Sequence, residues 1–191
     1  MHTSLTRCVA LGATLALASA LPAGAQQPAC YTPSTAQTTA LVELYTSEGC
    51  DSCPPADQWL ATLKPGTRIV PIAWHVGYWD SLGWKDRFAL PDAAPRQRLQ
   101  TQRDGGRTVY TPQVMVQGHR VDWRDAAQFE RAVDAVQAKA APLRIAVAQG
   151  LPYNGYLGVE LDGGTQQPGV VGYVALLEDQ IVSQVSAGEN R

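Results

Sequence analysis

Two cysteines set two residues apart, Cys50 and Cys53, are the residues of this 191-residue chain best suited to chemistry. They lie in Ser47-Glu48-Gly49-Cys50-Asp51-Ser52-Cys53-Pro54-Pro55. A C-x-x-C spacing puts the sulfurs one helical turn apart, within reach of a disulfide. An apolar run at 41–45 precedes the turn, and Pro54 and Pro55 suit the first turn of a helix, where a missing N–H does no harm. At such a helix start, unpaired backbone N–H groups and the positive end of the dipole favour thiolate. This reading makes Cys50 an exposed attacking thiol and Cys53, one turn inside, the resolving thiol that breaks a mixed disulfide. A structural disulfide or half of a metal site uses the same spacing. Zinc would need two more ligands, from among Cys30, His75, His119 and carboxylates. Cys50, Cys53 and His75 could instead hold copper, since thiolates and imidazole suit Cu(I). Met-rich and His-rich tracts are absent, with only 2 Met and 3 His in the chain.

Further residues group around the pair. Thr111-Pro112 stands directly before the apolar run Val114-Met115-Val116. With a dithiol upstream, this resembles thioredoxin-like folds, which place a cis proline opposite the sulfurs. Thr111 would then offer its backbone to a substrate chain as to an added strand, and Pro112 would shape the site. Trp74, His75, Tyr78, Trp79 and Asp80 follow the second strand candidate. They form either an apolar wall for a cysteine-containing substrate, with His75 as a charge partner of Cys50, or ordinary core packing. Glu43, on the strand before the dithiol, is a candidate acceptor for the resolving thiol's proton. Its spacing to Cys50 is one residue longer than in thioredoxins, so strand alternation could turn it elsewhere. Asp51 and Glu48 oppose thiolate formation at Cys50. They predict a moderately reducing or isomerising pair.

The elements that must position these residues are legible from periodicity and turn chemistry. The expected strands are 41–45, 68–74 and 113–117, the last followed by a hairpin turn at Gly118-His119. A helix begins near Cys53 and ends at Pro65-Gly66. Residues 92–103 read as a polar, surface-lying helix. Residues 125–141 read as an amphipathic helix with Ala126, Phe129, Val133 and Val136 on one face, ended by Pro142. Beyond it, 143–148, 156–161, 170–177 and 181–185 are strand candidates separated by turn residues. The expected organisation is a signal peptide at 1–25, a flexible lead-in at 26–39, an α/β unit at 40–141 and a C-terminal β subdomain at 142–191.

The leader reading rests on Arg7, an apolar run to Leu21 and the small residues Ala23-Gly24-Ala25. It implies export to a periplasmic or secreted setting, where disulfides persist. With Cys8 removed, three cysteines remain, leaving Cys30 without an obvious mate. The formal charge is −2 and no basic stripe stands out, which argues against nucleic acid as a partner. After cleavage no stretch is long and apolar enough to span a membrane. The expected partners are a protein or small thiol/disulfide substrate and an electron donor or acceptor. No cofactor is expected beyond the redox-active disulfide, and copper enters only under the alternative.

Three stretches together resemble one family. They are residues 42–57, Ala73-Trp74-His75-Val76-Gly77-Tyr78-Trp79-Asp80 with Gly83-Trp84-Lys85-Asp86, and Val109-Tyr110-Thr111-Pro112-Gln113. They are similar to the secreted proteins labelled domain of unknown function 1223. The resemblance implies export and an α/β, thioredoxin-like mixed sheet flanked by helices, with a C-terminal antiparallel β extension. It implies no known reaction. Relatives continue past the segment matching Gly188-Glu189-Asn190, so the C-terminal subdomain is expected to be truncated, lacking a closing strand and a mate for Cys30.

Overall fold

The computed structural model describes residues 30–150, 154, 158–163 and 168–190. The sequence-predicted leader lies outside them. The fold grows from β2 (Ala40–Thr46), in which every residue except Leu41 is buried. A strand buried on both faces must be covered on both. Helix α1 (Pro54–Thr62) follows and crosses back to β3 (Ile69–His75), which pairs parallel to β2 with Thr46 opposite His75. A 3₁₀ turn (Gly77–Leu82) and helix α2 (Ala93–Arg103) lead to β4 (Gln113–Val116), antiparallel on the other side of β2. A tight turn at Gln117-Gly118, both at positive φ, reverses the chain into β5 (His119–Arg120). The result is a four-stranded mixed sheet in the order β3-β2-β4-β5.

The register sorts side chains between two layers. Val42 opposes Val116 and Leu44 opposes Val114. These four pack with Ala56 and Leu60 of α1 and with Phe129, Val133 and Val136 of α3 (Ala126–Gln137). Trp59 meets the Phe129 ring edge-on at 5.2 Å, joining the two helices. On the opposite face Tyr45 and Met115 pack with Val76 and with Ala93 of α2.

Several boundaries differ from the sequence expectation for identifiable reasons. Asp125 caps α3 by accepting the Gln128 N–H at 2.9 Å. The helix stops at Gln137 rather than 141 because the following backbone pairs with the segment before β2. Thr38 N–H bonds Lys139 O at 3.0 Å and Ala141 N–H bonds Ala36 O at 2.8 Å. The supposed flexible lead-in therefore carries structure. Cys30–Pro33 forms β1, which pairs with β6 (Ala146–Gln149), itself paired with β7 (Val159–Asp162). This is a separate antiparallel sheet, ordered β1-β6-β7. Residues 170–177 and 181–185 form no strand. Among the described residues their alternation meets no partner strand, and Tyr173 and Leu176 remain 86% and 91% exposed. Helix α2 is less superficial than its polarity suggests, since Gln97 and Thr101 are buried and hydrogen-bonded.

Candidate functional site

The turn between the C-terminal end of β2 and the start of α1 carries a Cys50–Cys53 disulfide, with Cα atoms 5.5 Å apart. Local hydrogen bonds shape it. Cys50 N–H donates to Ser47 O at 3.2 Å and Gly49 N–H to Ser47 Oγ at 3.2 Å. The Cys53 carbonyl accepts from Ala56 and Asp57 N–H at 2.9 and 3.1 Å, opening the helix. With Pro54 and Pro55 in the first turn, two of the helix's unpaired donors are removed.

Thr111 reaches this turn from the loop before β4. Its peptide bond to Pro112 is cis, and its Oγ1 donates to Cys50 Sγ at 3.3 Å. Trp79 Nε1 donates to the same Oγ1 at 2.8 Å. The indole's donation occupies a lone pair of this oxygen and leaves the hydroxyl hydrogen free for the sulfur. Ser52 Oγ lies 3.5 Å from the same sulfur. The expected solvent exposure of Cys50 is corrected here: Cys50 and Cys53 are both 0% exposed.

Buried carboxylates brace the turn. Asp86 Oδ2 accepts from His75 Nδ1 at 2.7 Å and from the Glu48 backbone N–H at 2.9 Å, while Oδ1 accepts from Phe88 N–H at 2.8 Å. Burial alone would push this carboxyl up. The His75 ring and the two backbone donors overcome that and hold it below the usual carboxylate range. Glu48 Oε2 accepts from Trp84 Nε1 at 2.9 Å. From the other side of the chain, Asn190 Nδ2 donates to Glu48 O at 3.1 Å.

The family model described as a protein of unknown function, DUF1223, matches residues 41–191. The chain belongs to that family. Among solved structures, it is similar to a crystal structure of an Agrobacterium tumefaciens protein, at 30% identity and a TM-score of 0.49. That alignment covers 60% of this chain and 58% of the other, so this chain spans less than two thirds of that protein's length. No curated protein gives a significant match.

The DUF1223 chain brings Cys50, Cys53, Thr111, Pro112 and Trp79 together. It sets Glu43 and Trp74 apart, while Tyr78 stays beside Thr111 and Trp79. Glu43 points to the α2 face, where Oε1 accepts from Arg96 Nε at 2.7 Å, Trp74 Nε1 at 3.0 Å and Tyr45 Oη at 3.4 Å. Strand alternation has thus turned it away from α1, and Trp74 with it. Tyr78 donates to Gln97 Oε1 at 3.3 Å, and Gln97 Nε2 donates in turn to Tyr110 O and Gln113 Oε1 at 2.8 and 2.7 Å. His75 is held by Asp86.

Sequence reasoning overlooked Asp57, Asp86 and Asn190. Asp57 sits four residues after Cys53, on the same side of α1 and one turn deeper. Burial raises its carboxyl pKa, and the Thr46 hydroxyl and His75 charge beside it only partly offset this. The i, i+4 relation to Cys53 is a signal that could have found it. Asp86 had only its place in a Gly-Trp-Lys-Asp run, and Asn190 had none. Beside the cis bond, Tyr110, Pro112, Trp123 and Arg124 line an open cavity of about 430 Å³. Among the described residues no group of three or more His, Cys, Asp or Glu is arranged to hold a metal ion. None of the described helices is long and apolar enough to cross a membrane.

Proposed function

We propose that the protein is an exported thiol–disulfide oxidoreductase on a thioredoxin-like frame, with Cys50 as the exchanging sulfur. The carrying observation is the Thr111 hydroxyl, 3.3 Å from Cys50 Sγ and set directly before cis-Pro112. A structural disulfide needs no donor on one chosen sulfur. An exchanging one gains from it, because a hydrogen bond to sulfur favours the thiolate.

In the oxidising direction, a substrate thiolate attacks Cys50 Sγ. The Cys50–Cys53 bond breaks, a mixed disulfide forms, and Cys53 leaves as thiolate and takes up a proton. A second substrate thiolate then attacks the substrate sulfur of the mixed disulfide and releases Cys50 as thiolate. Two electrons pass from the substrate dithiol to the protein, and the substrate leaves as its disulfide. The reducing direction reverses each step. Turnover requires a further thiol or disulfide partner to restore the starting pair. In this reading Asp57, rather than Glu43, exchanges the Cys53 proton. It lies one turn behind that sulfur, and burial favours its neutral form. The cavity beside Pro112 is a natural place for the substrate residue flanking the attacked cysteine.

The test is insulin disulfide reduction with a thiol donor. The wild type should accelerate it, and Cys50→Ser should return the rate to background. Equal rates for the two chains would overturn the reading. The apolar leader at 1–25 supports export, and the N-terminal residue of protein recovered from a periplasmic fraction checks it. An intact Met1 there would exclude cleavage.

A further inference from the structure

The disulfide turn is approached by a distant part of the chain. Residues 183–190 lie against the loop that braces the sulfurs. Arg87 Nη2 donates to Ser183 Oγ at 3.2 Å, anchoring one end. Asn190 Nδ2 donates to the Glu48 carbonyl at 3.1 Å, anchoring the other, two residues before Cys50. Between them Gly188 takes φ +79, a conformation that favours glycine. A β-carbon at Gly188 would sit 3.1 Å from Trp84 Cβ and 3.9 Å from Gly49 Cα. The segment therefore rests on Gly49, the residue preceding the sulfur that is 0% exposed.

We infer that 183–190 is a displaceable cover on the surface through which a polypeptide substrate reaches Cys50. The inference rests on the redox reading above. The surface fits a polypeptide that bends over the turn with small residues and turns an amide donor toward Glu48 O, because a stretch of that kind, 187–190, already lies on it. A bulky or branched ligand meets the same obstacle a β-carbon would meet at Gly188. A thiol-bearing chain must first displace the cover, which the described residues hold by the Ser183 and Asn190 side-chain hydrogen bonds and the close fit of Gly188. The exchange rate is then set by the fraction of molecules in which the cover is lifted.

The experiment measures the rate at which a small phosphine, tris(2-carboxyethyl)phosphine, opens the disulfide in the full chain, read by thiol labelling. The phosphine becomes its oxide and both cysteines become thiols. Asn190→Ala removes one anchor and should raise the rate about five- to tenfold, the factor that one net hydrogen bond represents. Gly188→Val, strained in φ and crowding Trp84, should raise it at least as much. Gly169→Val is the control. Gly169 has a similar φ of +80 with no atom within 4 Å of the β-carbon position, so its variant should match the wild type. Equal rates for Asn190→Ala, Gly188→Val and the wild type would overturn the cover. That failure is separable from failure of the redox reading, which the Cys50→Ser insulin comparison tests alone.

Discussion

The Thr111 and Ser52 hydroxyls both lie within reach of the Cys50 sulfur, and the Trp79 indole donates to the first of them. Removing the hydroxyl at nearly constant shape, Thr111→Val, should raise the Cys50 thiol pKa in the reduced protein by about one unit, as expected for a hydrogen bond worth about 1.4 kcal/mol. Thiolate absorbance against pH measures it, and an unchanged titration would mean the contact has no bearing on reactivity. The buried carboxylates divide by the same reasoning. Asp57→Asn should slow disulfide exchange near neutral pH and alter its pH profile, whereas Glu43→Gln should lower stability and leave the profile in place, since Glu43 serves Arg96 on the other face. Asp57 also carries a stability sign. Burial raises its folded pKa, so its charge costs stability above its unfolded value near 3.9, and the full cost is present above the folded value. Asp57→Asn should therefore be more stable than the wild type at pH 7 in denaturant melts. Asp86 has the opposite sign. Its folded pKa is lowered, so its stabilisation is complete above about pH 4 and fades as pH falls through the folded value. Asp86→Asn should cost about 1.5–3 kcal/mol at neutral pH and make stability less dependent on pH below 4. The chemistry-bearing residues were legible where spacing is local: Cys50, Cys53 and Thr111-Pro112 follow from a helix start and a strand start. For Glu43 the one-residue offset was visible in the sequence, but which face of β2 it takes depends on the register, which spacing alone does not give.

At the scale of elements, α2 is the piece whose role polarity concealed. Its sequence reads as a surface helix, yet it buries Gln97 between the cis-proline loop and the sheet. Buried amides are stable only when partnered, and Gln97 binds the Tyr110 carbonyl and the Gln113 side chain at once. Gln97→Ala would strand both and leave a small void. A loss of about 2–4 kcal/mol is expected in denaturant unfolding. It should come with weaker insulin turnover, because the Thr111-Pro112 segment loses its tie to α2. A stability loss below about 0.5 kcal/mol would show that the loop holds itself. The elements read correctly from sequence, β2, α1, β3, α2 and β4, have local signals of apolar period, proline and cap residues. The failures are non-local. Helix α3 ends early because residues 139–141 find partners at 36–38, and β1 forms because β6 is available to it. Neither partner is announced by the segment itself.

At the scale of the whole molecule, the described residues form two unequally supported sheets. The four-stranded sheet has helices on both faces and strands without exposure at Val42, Leu44 and Met115. Among the described side chains of the β1-β6-β7 sheet Ala146 is buried, while Val147 and Val159 stand 37% and 47% exposed. Local opening free energy follows buried apolar contact, so the two sheets should not open together. Native-state hydrogen exchange should find amides of β2 and β4 protected up to the global unfolding free energy. Amides of β6 and β7 should exchange through a smaller opening that does not depend on denaturant as strongly. The cover at 183–190 should exchange independently of that small sheet, since its anchors, Arg87 and Glu48, belong to the bracing loops of the large one. Reducing Cys50–Cys53 should then speed exchange at Gly49 and Cys50 while leaving β6 and β7 unchanged. Equal protection across both sheets would mean that the small sheet is an integral part of the core. Slowed exchange in β6 on reduction would mean that the disulfide's state is felt across the molecule rather than at the turn it closes.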